Sequence, residues 1–147
     1  MANALDDNAM NQEPTPRGGR GPMVTAMKVV QALIGVAGLA LLGLGFGFWG
    51  SEGLNFVRLH EQLGIFIVVL LWALAVTGLA YGVNRVRIAI AVLWGFVVIA
   101  FGFMHIGMLV GDLHWIIRVL HLLVGLAALA LAGIIAKQIS VAAMARR

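Results

Sequence analysis

The chain reads as all-α, a polytopic membrane protein built as a four-helix up-down-up-down transmembrane bundle, and three observations predict it. Of 147 residues, 62% are hydrophobic and 11% charged, with a mean hydropathy of +1.02, too apolar for a domain that keeps its surface in water. Four apolar runs, near 24–49, 57–82, 88–111 and 113–136, are each long enough for a ~30 Å hydrocarbon core at ~1.5 Å per residue. The joints between them are "GSEGLNF", "GVNRVR" and little more than Gly111–Asp112, short enough to force antiparallel neighbours.

The segment ahead of the first run, "MANALDDNAMNQEPTPRGGRGP", has prolines, glycines and charges but no apolar face, and is expected to be disordered. It lacks the short apolar core and small-residue cleavage site of a secretory signal, so the first run is read as a retained span. The division expected is a cytoplasmic tail over 1–22, a transmembrane domain over 23–139 and a short basic tail over 140–147. Gly and Ala are dense in the first and fourth spans, including Gly43-x-x-x-Gly47 and Ala127–Ala132, which permits close helix contact. Arg17, Arg20 and Lys28 flank the start of the first span, Arg85 and Arg87 fill the middle joint, and Lys137, Arg146 and Arg147 close the fourth. The other two joints offer mainly Glu52 and Asp112. By the positive-inside rule both termini are cytoplasmic, in a cell inner membrane. The net charge of +4 therefore follows topology; the basic residues line no single face, and no nucleic-acid partner is expected.

With no cysteine, disulfides, thiolate-bound zinc, cysteine-ligated iron–sulfur clusters and a covalently attached c-type haem are excluded. No nucleophile–base pair, hydrolase motif or phosphate loop is present. The chemistry is left to four histidines. His60 lies near the outer end of the second span, His105 a little under two turns short of the outer end of the third, and His114 and His121 enter the fourth from the same side. All four collect in the outer half, where an ionisable side chain inside a span marks a functional site. "VRLHEQLG" in the second span and "IRVLHLLVG" in the fourth each carry a Leu-His pair, an arginine two or three residues earlier and a glycine four residues later. The two hairpins look like loose repeats. At that spacing Gly64 and Gly125 share a face with His60 and His121, one turn deeper, and leave room for a flat ligand. Second and fourth helices are diagonal in such a bundle, so both histidines can face its axis. Arg118, more than one turn into its span, needs to snorkel or find a partner; with Arg58 it could meet a carboxylate, or it could pair with Glu61 or Asp112.

Histidines at matched depth on alternate helices, glycine at helical spacing and no c-type motif resemble the membrane-embedded b-type cytochromes. The resemblance covers the four spans and is architectural. It implies one non-covalent haem b with His60 and His121 as iron ligands, flanked by Gly64 and Gly125, with propionates toward Arg58 and Arg118. It further implies electron transfer between a quinol or another redox partner and an acceptor, with a larger membrane complex as a setting for the chain. The chain departs from the two-haem members in having no histidine in the inner half, which removes the basis for a second haem.

His105 is the reserve ligand, since with His121 it would let the third and fourth helices grip the haem alone. His114, seven residues before His121, is ~10 Å away along the axis and is read as interfacial. Met104 and Met108, one turn apart, are read as packing, Trp49 and Trp115 as an interfacial belt, Trp72 and Trp94 as packing or lipid-facing, and Glu61 as an exposed interfacial carboxylate. Two other functions stay open. One is pigment binding, in which a single imidazole ligates the magnesium of bacteriochlorophyll. The other is an accessory or structural membrane subunit without cofactor, its histidines bonded to backbone.

Overall fold

The computed structural model describes residues 21–49 and 54–146; the expected disorder of the N-terminal tail, the Glu52 turn and Arg147 lie outside the described residues. Among the described residues the regular structure is all helical, and four helices are long and apolar enough to cross a membrane: α1 (Pro22–Trp49), α2 (Val57–Ala80), α3 (Arg85–Met104) and α4 (His114–Ala145). Single turns of 3₁₀ helix precede α2 (Leu54–Phe56) and follow α3 (His105–Gly107). Such spans must satisfy their backbone polar groups internally, which is why they are helical throughout.

The α2–α3 turn is set by local chemistry. Gly82 takes φ +78°, open to a residue without Cβ, and α2 closes on it. The Val83 N–H donates to the Gly78 carbonyl at 2.9 Å and the Gly82 N–H to the Leu79 carbonyl at 3.2 Å, the paired bonds of a helix that stops at a left-handed glycine. Asn84 then caps α3, its side-chain oxygen accepting from the Val86 N–H at 2.9 Å and the Arg87 N–H at 3.4 Å.

At the opposite end the structure corrects the expected boundaries. The third span does not run to 111: α3 stops at Met104, and residues 105–113 form the connection in place of a bare Gly111–Asp112 joint. Met108 is extended, and Leu109 and Gly111 have φ of +46° and +101°, so the backbone turns although the run stays apolar. His105 thus sits at the very end of α3 rather than nearly two turns inside it. At the far end α4 continues to Ala145, taking in most of the expected tail over 140–147. Arg146 lies 4.7 Å above the Tyr81 ring and donates to the Ala80 carbonyl at 3.0 Å, so a cation closes the last turn of α2.

Helices α2 and α4 pack directly on one another and each also packs on α1 and α3. The core is lopsided along the bundle. Its fully buried members include Leu71, Ala75, Ala91, Ala132, Ile135 and Ile139. The buried members of the connected cluster lie outside 57–66 and 92–131, with Leu63, Val92, Leu129 and Leu131 packed against it and Ile117 and Ala128 buried apart from it, so most of the buried side chains lie in the half nearer the chain ends. Small residues on α1 and α4 allow close approach there, with Gly38 set against Leu129.

The two inner tryptophans stitch helices together. Trp72 Nε1–H donates to the Val92 carbonyl at 3.2 Å, and Trp94 Nε1–H to the Val124 carbonyl at 3.0 Å, which keeps both indoles satisfied away from water. The nitrogen side of the Trp72 indole lies against Gly95, where any Cβ would collide with it. Gly95→Ala is therefore expected to lower stability by about 1–3 kcal/mol through overpacking of α2 against α3, read as a lower melting temperature in detergent; an unchanged melt would show that the indole moves freely.

Candidate functional site

Where the tight core ends, the histidines begin. His60 projects from the first turn of α2 and His121 from two turns into α4, and their ring centroids are 6.1 Å apart with planes inclined by 35°. For residues three and seven positions into their helices to meet, α4 must start about one turn farther out than α2. The 105–113 connection provides that rise. It also carries His105 to the same level, its ring stacked on His121 at 4.5 Å and 27°. Three of the four histidines are thus brought together, all half-buried. His114 is not among them: its Nδ1–H donates to the Met108 carbonyl at 3.1 Å, tying the connection to the start of α4.

The nitrogens of the three rings differ. His105 donates Nδ1–H to the Gly102 carbonyl at 2.7 Å, which in the neutral ring leaves Nε2 with its lone pair free. His60 Nδ1 and His121 Nδ1 are buried without a hydrogen-bond partner, and a buried polar atom left so costs about 1–3 kcal/mol. A group that binds these rings at Nδ1 would offset that cost. Among the described residues no three His, Asp or Glu side chains are arranged to hold a metal ion by themselves; what the arrangement offers is neighbouring imidazoles.

No protein-family model, curated protein or solved structure matches this chain.

The surroundings of the rings therefore carry the chemical reading. An added Cβ at Gly64 or at Gly125 would meet nothing within 4 Å, and the same holds at Gly102, so space lies open one turn along each helix from its histidine. Helix α1 reaches the site at Gly45, where a Cβ would come within 3.8 Å of His60 Cε1, and at Phe48, whose ring meets His60 edge-on at 5.4 Å. Gly43, expected to mediate helix contact, faces open space. Phe101, one turn before His105 on α3, stacks on His121 at 6.0 Å and 22°. Neither phenylalanine was distinguishable among seven in the sequence; Phe101 was identifiable only as the residue four before His105.

Arg58 and Arg118 are exposed, as is Glu61. Two residues before His60, Arg58 leaves α2 on nearly the opposite face, whereas Arg118, three before His121, leaves α4 close to its histidine's face. Met104 and Met108, expected to pack, are instead 64% and 37% exposed. Trp49 and Trp115 are exposed at this end, as an interfacial belt requires.

Proposed function

We propose that this chain is a membrane electron-transfer protein holding a single b-type haem, non-covalently, with His60 and His121 as its axial ligands. One observation carries the reading: two half-buried imidazoles, on helices that pack across the bundle, lie with their ring centroids 6.1 Å apart. Two metal–nitrogen bonds of about 2 Å each, with roughly half a ring's width on either side, give a centroid separation of about 6 Å. The 4.5 Å stack of His105 on His121 is too close for that pair to oppose each other across one atom, which favours His60 over the reserve. The unpartnered Nδ1 atoms and the open space beside Gly64 and Gly125 fit the same ligand.

In this reading the protein's own residues do four things. His60 and His121 hold the group from opposite sides. Gly64 and Gly125 leave the faces beside them free, the apolar helices exclude water, and Arg118, ahead of Arg58, compensates propionate charge at the exposed rim. When bound, haem supplies one-electron Fe(III)/Fe(II) chemistry, and two histidines leave no open position for oxygen. The basic residues at the opposite end support an orientation with both termini in the cytoplasm and the haem in the outer, periplasmic half of an inner membrane. A quinol or redox protein is then the partner, within the lipid or in a larger membrane complex.

An absorption spectrum of the detergent-purified protein, oxidised and reduced, tests this directly. Reduced bands at b-type positions, with pyridine extraction returning one haem b per chain, are expected, and His114→Ala should leave them unchanged. A colourless protein, or near-infrared pigment bands, would overturn the proposal.

A further inference from the structure

The site holds more flat rings than ligation requires, and their arrangement is specific. Phe101 and His105, four residues apart at the end of α3, present their rings to His121 at 22° and 27° to its plane. His105 cannot swing freely, because Nδ1–H is tied to the Gly102 carbonyl within its own turn. On the other side Phe48 meets His60 edge-on, at 64°. An imidazole attached through two single bonds can otherwise turn about χ2, a broad and soft torsion. Stacking with neighbours at these separations restricts it.

We propose that Phe101 and His105 form a clamp that fixes the plane of the His121 ring, and so sets the 35° angle between the two axial imidazoles. This inference rests on the haem reading above. Phe101 and His105 are positioning residues: they act through His121 and ligate nothing. The angle between the imidazole planes governs the symmetry of the ligand field at a low-spin ferric ion, with small angles giving a rhombic paramagnetic signal and near-perpendicular planes an axially extended one.

Low-temperature electron paramagnetic resonance of the oxidised holoprotein reads that angle. The wild type is expected to give one narrow rhombic low-spin signal. Phe101→Leu and His105→Leu, which fill the volume without a flat ring, should keep the haem:protein ratio but broaden the lowest-field line and displace it to lower field. His105→Phe restores the flat face without the nitrogen and should return the wild-type signal. Should both leucine variants lose haem while His105→Phe retains it with a narrow line, stacking is again what holds His121. Identical spectra in all variants, or a His105→Phe spectrum as disturbed as that of His105→Leu, would overturn the clamp while leaving the haem reading intact. Wild-type protein without haem overturns both.

Discussion

His121→Ala protein is expected to purify as a folded, colourless bundle, with haem affinity lowered on the order of a hundredfold or more, beyond the 10–100-fold that loss of a supporting residue costs a metal site. His60→Ala should behave alike, and far-UV circular dichroism should stay near wild type for both. The reason lies in where stability resides. Most of the fully buried side chains, Leu71, Ala132 and Ile135 among them, lie in the half of the bundle away from the histidines, so truncating a half-buried ring at the other end leaves that core intact. In the protein without haem the change even removes a buried, unpartnered Nδ1. His105→Ala should retain haem, because that ring leans on His121 rather than opposing it. Haem kept in His60→Ala and lost in His105→Ala would instead assign the iron to His105 and His121.

The four helices were legible from hydropathy because the bilayer admits only spans that satisfy their own backbone. Where that reading failed, it failed for one reason: apolarity reports burial in lipid and is silent about backbone direction. Residues 105–110 stay mostly apolar, yet the chain leaves the helix at Met104 and turns through Leu109 and Gly111. The misplaced boundary hid a consequence. With the connection starting at 105, His105 stands at a helix end and stacks on His121, a contact that matched depth hinted at but did not fix. The Leu-His-x-x-x-Gly repeat did carry real placement, since His60 and His121 meet and Gly64 and Gly125 border open space. Phe48 carried no signal and Phe101 only its place four residues before His105, because a phenylalanine against a histidine and one facing lipid look the same in a span. Arg146 was assigned to topology alone; its contact with Tyr81 depends on α4 running on to Ala145, six residues past the expected end of the transmembrane domain at 139.

Gly125→Leu separates a cavity that serves a ligand from one that merely faces lipid. In the structure a Cβ at Gly125 touches nothing within 4 Å, so the bundle without haem loses no contact, and leucine favours helix and bilayer over glycine by a few tenths of a kcal/mol or more. The melt of the protein without haem should hold or rise. Haem is expected to respond oppositely. A branched side chain one turn from His121, on the same face, would occupy the space a macrocycle needs, and displacing it by even ~1.4 kcal/mol of strain lowers affinity tenfold; the haem:protein ratio at limiting haem should fall accordingly. Gly64→Leu should act in the same way from α2. Gly43→Leu is the control, since it also adds a side chain in open space but on α1, without a histidine one turn away, and should leave haem content at the wild-type level. Full haem occupancy in Gly125→Leu would mean that this glycine borders lipid and that the macrocycle, if bound, lies elsewhere around the His121 ring.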